Sequence, residues 1–356
     1  MENANNYDLT EGNILKKLLL VAVPIMGTQL MQMAYNLTDM FWLGRVGSGA
    51  VAAAGAAGMY MWLSFGFILI GRMGAEIGVA QSLGRGDKKI ALAFSQNSMF
   101  IALILGSLFG LALVFFSPSL IGFFNFREAM IAKDAADYLF IIGIPMPLGF
   151  LCSVAAGTYT ASGNSKNPFW ISGIGLVINV FLDPVFIIFL GMGVKGSAIA
   201  TIISQITVSL VQLGTLLFYK DRPFQNYFSM FRIDWKKIIQ ILKWSVPIGL
   251  ESLLFCFLSM TTTRVETGFG ASAIAVSRVG SQIEALSWLI GGGFGSALVA
   301  FIGQNFGAGK KERIQSCVKT SFLVMTFWGT FVTLFLFTLG PVVFSVFLPD
   351  PGLISL

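Results

Sequence analysis

The chain has 356 residues, 55% of them apolar and only 11% charged, with a formal net charge of +6. Soluble domains carry about 25% charged residues, so a mean hydropathy of +0.79 leaves too little polar surface for a water-exposed globule and marks an all-α integral membrane protein. His is absent and Cys152, Cys256 and Cys317 are far apart, which argues against a zinc site, a haem ligand set, a disulfide framework and an enzyme.

Residues 1–11 are polar and contain no Lys or Arg. The basic region and short apolar core of a cleavable signal peptide are both missing, and the first span is expected to be retained. Apolar runs follow at 15–43, 50–83, 91–116, 138–161, 169–190, 197–218, 238–260, 273–306 and 318–347. Each exceeds or approaches the roughly 20 residues that cross a bilayer, so nine spans are predicted. Turns rich in Gly separate them, among them Gly47-Ser48-Gly49, Gly84-Arg85-Gly86-Asp87, Gly163-Asn164-Ser165 and Gly307-Ala308-Gly309. Most of the 23 Lys and Arg fall on one side of these spans, including Lys16, Lys17, Arg85, Lys88, Lys89 and Lys310, whereas the other side has Arg45, Arg127, Lys133 and Lys195. The excess marks the cytoplasmic face, which puts the N-terminus in the cytoplasm and the chain in the cell membrane. The basic residues form no stripe with interleaved aromatics, so nucleic acid is not an expected partner.

After residues 219–237, the longest polar connection, the sequence repeats its own beginning. Val23-Pro24-Ile25 matches Val246-Pro247-Ile248, Gly47 opens a turn matched at Gly270, and Gln81-Ser82-Leu83-Gly84 matches Gln304-Asn305-Phe306-Gly307. Pro24 to Pro247, Gly47 to Gly270 and Gln81 to Gln304 all share an offset of 223 residues. Two homologous helical lobes are expected: residues 1–218 with six spans, a cytoplasmic linker at 219–237, and residues 238–356 with three. Because six spans precede the linker, the repeats share one orientation, and such pairs commonly hold substrate between them. Three further spans would complete the second lobe, so the chain is expected to lack them.

Acids inside spans are expensive and are functional candidates by default. Asp39 ends an outward-running span, Asp183 lies in the outer half of another, and Asn179 sits one turn before it on the same face. Thr201 and Tyr138 are expected at the same level. Two carboxylates, an amide oxygen and a hydroxyl suit a small hard cation, and neighbouring carboxylates can share a proton. A coupling-ion site of Asp39, Asp183, Asn179 and Thr201 is one reading. The other is that Asp39 sits at the outer interface and Asp183 caps a kink made by Pro184. Pro24 removes a backbone hydrogen bond in the first span and lets it bend. Arg72 and Glu76, four residues apart, read as a local ion pair. Glu251 and Glu284, at mid-membrane depth in the second lobe, either contact organic cations or pair with Arg278. The runs at Gly71, Gly74 and 291–293 read as close-packing surfaces.

Pro24, Asn36-Leu37-Thr38-Asp39, Gly44-Arg45-Val46-Gly47, Gly84-Arg85-Gly86-Asp87, Gly163-Asn164-Ser165-Lys166-Asn167-Pro168 and Asn179-Val180-Phe181-Leu182-Asp183-Pro184 together resemble the MATE family, the multidrug and toxic compound extrusion transporters. The likeness covers essentially the whole chain and is nearest to the DinF-like branch. It implies two six-helix lobes around a V-shaped cavity and exchange of organic cations or other amphipaths against H⁺ or Na⁺ by alternating access. It further implies that Asp39 and Asp183 are the protonatable pair, Asn179 and Thr201 complete a cation site, Tyr138 lines the cavity and Pro24 marks the bending helix. No cofactor is expected, nor a metal other than Na⁺ as coupling ion. The expected partners are small organic molecules and the bilayer, with the chain a monomer. A lipid-linked precursor flippase of the same superfamily and an inactive truncated product are the alternatives.

Overall fold

A computed structural model describes the backbone of residues 7–126, 128–218, 222–225, 227, 232–266 and 271–347, and their side chains except at 260, 263–266, 271–283, 285–286 and 341–347. Every regular element among the described residues is helical. In chain order they are α1 (Ile14–Val46), α2 (Ser48–Gly84), α3 (Lys88–Gly122), α4 (Ala129–Gly143), α5 (Met146–Ala161), α6 (Lys166–Pro184) with a π-helical turn (Val185–Phe189), α7 (Gly193–Phe218), α8 (Trp235–Glu266), α9 (Ala271–Gly307) and α10 (Lys311–Phe347). Eight are long and apolar enough to cross a membrane, and α4 with α5, bent by 53°, makes a ninth.

Local chemistry sets the ends. Asn13, Asp87 and Asp234 place a side-chain oxygen on the backbone N–H of Lys16, Ile90 and Lys236 at 2.9 to 3.0 Å, the side-chain capping that helix starts require. The Lys237 ammonium, 2.5 Å from Asp234, holds that carboxyl below the usual carboxylate range. α2 and α9 end in the same motif. Gly86 N–H bonds Leu83 O and Asp87 N–H bonds Ser82 O, while Gly309 N–H bonds Phe306 O and Lys310 N–H bonds Asn305 O. Both glycines have positive φ, +79° and +73°, a backbone conformation that Gly adopts without steric cost. The sequence offset of 223 residues is thus kept in the turn geometry.

The fourth span differs from its sequence expectation. The expected apolar run started at residue 138, yet the helix begins at Ala129 and takes in Lys133, Asp134 and Asp137, with Asp137 held by Lys195 at 2.8 Å. It also breaks between Gly143 and Met146, where Pro145 lacks the N–H that would continue the ladder.

The two repeats interleave. α1 packs on α6 and on α9 of the second repeat more than on its own successor α2, and α8 packs chiefly on α2 of the first and hardly on α9. These two interfaces are the same contact with knob and hole exchanged. Met26 of α1 fills the space over Gly293 of α9, and Ile70 of α2 fills that over Gly249 of α8. Met26 corresponds to Gly249 and Ile70 to Gly293 at the repeat offset. At one end of the bundle α2 and α9 meet backbone to backbone, Gly84 against the Gln304 carbonyl and Gly307 against that of Gln81. At the other end, where the α1–α2 turn lies, the helices diverge.

Candidate functional site

The divergence opens a cavity of about 2250 Å³ walled by α1, α2, α4, α5, α6, α7 and α8. Single-ligand sites enclose about 300 to 1,000 Å³, so this space is large enough for an organic molecule together with water. Among its described lining residues Asp39 is the one acid, and no Lys or Arg lines it. The side chains of Arg264 and Arg278 lie outside the described residues.

Asp39 is the focus of a polar cluster in the wall. Asn179 Nδ2 donates to Asp39 Oδ1 at 3.1 Å and to Asp183 Oδ1 at 3.0 Å, and Thr201 Oγ1 donates to Asp39 Oδ2 at 3.4 Å. One amide nitrogen therefore binds both carboxylates. Asn179 and Asp183 are fully buried, whereas Asp39 is 9% exposed and lines the cavity. Asp183 thus stands behind the lining that Asp39 joins. Asn179 Oδ1 and Asp183 Oδ2 are buried and accept no hydrogen bond. Buried acceptors are normally satisfied, so two orphan oxygens beside a pair of carboxylates form an arrangement that a proton or a small cation would complete. Tyr138 lines the cavity beside the cluster.

Several local features build it. Asn179 and Asp183 share a face of α6 at a spacing of four residues. Pro184 lacks an N–H, the helix widens into the π turn that follows, and Leu190 N–H bonds Val185 O. A Cβ at Gly196 would sit 2.5 Å from the Phe186 carbonyl oxygen. The glycine lets α7 start against that turn and brings Thr201 to Asp39. Tyr35, four residues before Asp39 on α1, donates its hydroxyl to the Thr201 carbonyl at 3.2 Å and also lines the cavity. Sequence reasoning passed over Tyr35; the i, i+4 spacing of Tyr35 and Asp39 was the available signal.

The other candidates fall elsewhere. Pro24 lies inside α1, and the Thr28 hydroxyl bonds its carbonyl at 3.0 Å. Arg72 Nε meets Glu76 Oε1 at 2.7 Å, the local pair its spacing predicted, with Glu76 fully buried. Glu251 and Glu284 do not join the cavity lining as the expectation of substrate contact required. Glu251 is exposed on α8, and Glu284 is exposed and accepts the Trp288 indole N–H at 2.9 Å. The side chain of Arg278, the alternative partner of these acids, lies outside the described ones.

Comparison with known proteins bears on this geometry. The MatE family model matches residues 24–185 and 247–356. The probable multidrug resistance protein NorM of Thermotoga maritima is 26% identical over 348 residues, which are 96% of this chain and 74% of that protein. A FAD transporter of Shewanella oneidensis is 26% identical over 370 residues, 99% of this chain and 78% of that one. The fold is that of a MOP superfamily transporter from Pyrococcus furiosus, with a TM-score of 0.90 at 21% identity over 98% of this chain and 77% of that one.

Proposed function

The chain belongs to the MatE family, a family of transporters and not of enzymes, and on that premise we propose that it exports amphipathic organic cations in exchange for H⁺ or Na⁺. The observation that carries this reading is the single Asn179 amide nitrogen that holds Asp39 and Asp183 together beside an otherwise uncharged described lining. A cation in the cavity is attracted by Asp39, and a proton or Na⁺ entering between Asp39 and Asp183 cancels that attraction. Only a ligand that binds two states differently can shift their balance, and the shared carboxylates supply the difference. Asp39 lies within α1, 15 residues beyond Pro24 and two turns before the helix ends at Val46, so loss of its charge releases the outer part of α1 from Asn179 and Thr201 and lets it bend at Pro24.

In this reading the N-terminus is cytoplasmic in a cell membrane, and the cavity mouth faces outward. Residues 1–218 and 238–356 are the two lobes that rock about the site, joined by residues 219–237. The chain works as a monomer. A flippase for lipid-linked precursors needs cations facing a pyrophosphate, and the described lining offers none.

The test is ethidium efflux from proteoliposomes driven by an imposed pH or Na⁺ gradient. Wild-type protein should move ethidium against its gradient and Asp39→Asn should not. Equal coupled efflux by both would remove the reading.

A further inference from the structure

Residues 7–12, ahead of α1, are bound far more tightly than a leading segment needs to be. Leu9 is fully buried in an apolar cluster with Leu18, Ala22, Phe294 and Phe301, which spans α1 and α9. Its N–H donates to Gln304 Oε1 at 3.0 Å and its carbonyl accepts from Asn305 Nδ2 at 3.1 Å. Lys310 Nζ binds the Thr10 carbonyl at 3.0 Å, and Arg313 donates to the Gly12 carbonyl at 2.8 Å. All of these donors and acceptors belong to the second repeat. The same segment also touches the first. The Tyr7 carbonyl lies against Gly163, whose φ of +86° and lack of a Cβ admit it, and Gln304 Nε2 reaches past Leu9 to the Ala161 carbonyl at the end of α5, at 2.8 Å.

The segment therefore bridges the two repeats beside the backbone contact of Gly84 and Gly307, at the end opposite the cavity mouth. Its counterpart at the repeat offset is the stretch before α8. There Asn97 of α3 donates to the Arg232 carbonyl at 3.3 Å and accepts from Asp234 N–H at 2.9 Å. Leu9 and Arg232 occupy equivalent positions, so each repeat reaches across to the other with the strap that leads into its first helix. The two straps differ in what they bury. Leu9 is a fully buried leucine in a seam, whereas Arg232 is exposed.

We propose that residues 7–12 form a latch that holds the end opposite the cavity mouth closed, and that Leu9 must leave its cluster before that end opens. The proposal rests on the exchange reading, in which the two ends open in turn. In the structure the side chains that bind Leu9, Thr10 and Gly12 from the second repeat come from α9, α10 and the turn between them. The contacts to Gly163 and Ala161 belong to the other half, and the halves cannot part with both sets intact.

The test is a distance measurement by double electron–electron resonance on the full chain in nanodiscs. Spin labels replace Lys89 and Glu312, exposed residues in the first turns of α3 and α10 on either side of the seam, with the three cysteines replaced by Ala. Wild type should show a dominant short distance, with any longer component at most about a tenth of the molecules. Leu9→Asp and Gln304→Ala should make the longer component the majority. Retained ethidium binding and monodisperse elution establish that each variant is folded, and Gln304→Ala, which leaves Leu9 in place, decides the matter if Leu9→Asp fails to fold. Distributions of folded variants that superimpose on wild type overturn the latch. The exchange reading is judged separately, by whether the wild-type distribution responds to ethidium and to pH.

Discussion

Replacing Asp183 with Asn should separate ion coupling from substrate binding. The substitution keeps the size and planarity of the side chain and removes one negative charge from a group that is fully buried and outside the cavity lining. Each carboxylate places an oxygen about 3 Å from the Asn179 nitrogen, so the two are close neighbours, and a cation bound by the oxygens they leave free is taken at about 4 Å from each charge. At an effective dielectric of about 20 that interaction is about 4 kcal/mol, close to a thousandfold in affinity. Relief of carboxylate burial offsets part of this, and a hundredfold loss of H⁺ or Na⁺ affinity is the expected floor. A substrate cation in the cavity sits about 10 Å from Asp183 through water and polar wall. At a dielectric near 40 the loss is then about 0.8 kcal/mol, roughly fourfold. Ethidium fluorescence titration in nanodiscs gives the binding constant, and gradient-driven efflux from proteoliposomes gives coupling. Asp183→Asn should bind ethidium within about fivefold of wild type and lose coupled efflux, whereas Asp39→Asn should lose both. If Asp183→Asn retains coupled efflux, or weakens ethidium binding as much as Asp39→Asn does, the assignment of a buried coupling member behind an exposed one is wrong.

Three further outcomes follow from other parts of the molecule. A Cβ at Gly84 or Gly307 falls on a backbone carbonyl of the facing helix, and overpacking costs about 1 to 3 kcal/mol even where side chains can give way. Gly84→Val should therefore expose Ser82→Cys, buried in the parent structure, to a membrane-permeant maleimide; an unreactive thiol would refute a backbone-packed seam. Arg72→Met strands the buried Glu76 carboxylate, and breaking such pairs costs about 3 to 5 kcal/mol. It should lower the thermal midpoint in detergent, and adding Glu76→Leu should restore more than half of the loss; no recovery would mean that Arg72 acts through something other than Glu76. Finally, the described lining carries an acid and no basic group, so excess FAD should leave ethidium efflux unchanged, although a relative of similar identity is a FAD transporter. Competition by FAD would place basic residues in the cavity.

Much of the fold was legible because a bilayer imposes simple rules. The apolar runs had to be helices, since backbone groups in hydrocarbon need partners within the segment, and Gly-rich turns marked the reversals. The offset joining Gln81 to Gln304 pointed to duplication, and the matching turns at Gly86 and Gly309 show it in geometry. What the sequence hid was pairing between distant elements. Nothing in α1 or α8 announces that each packs on the second helix of the other repeat, because that choice rests on size complementarity of Met26 with Gly293 and of Ile70 with Gly249. The start of the fourth span was obscured by Lys133, Asp134 and Asp137, which read as a loop until Lys195 appears opposite Asp137. Within the polar cluster, acids stand out by their cost in a membrane, which singles out Asp39 and Asp183 in the sequence but not Tyr35. A tyrosine in an apolar run carries no comparable penalty and becomes visible only through its bond to the Thr201 carbonyl.

The closed end also bears on how readily a transporter of this build could alternate. Where α2 and α9 cross, the closest approaches are Gly and Ala against backbone, with Gly303 facing Ala80, so the groups that meet there are small. Separating such a surface exposes few groups to water, and each buried methylene avoided is about 0.8 kcal/mol not lost on opening. A seam of leucines and phenylalanines would instead hold the end shut by about 1.5 to 3 kcal/mol per side chain. The crossing is thus easy to part, and the resistance lies beside it, in the cluster of Leu9 with Leu18, Ala22, Phe294 and Phe301 between α1 and α9 and in the hydrogen bonds around Leu9. One leucine at that scale and a few net hydrogen bonds of about 1 kcal/mol each amount to several kcal/mol. That is enough to keep the open form a minor population, and small enough for the several-kcal/mol change at Asp39 and Asp183 to overcome. A latch worth much more would trap the protein with its cavity open to one side, and one worth much less would let both ends open at once and dissipate the gradient.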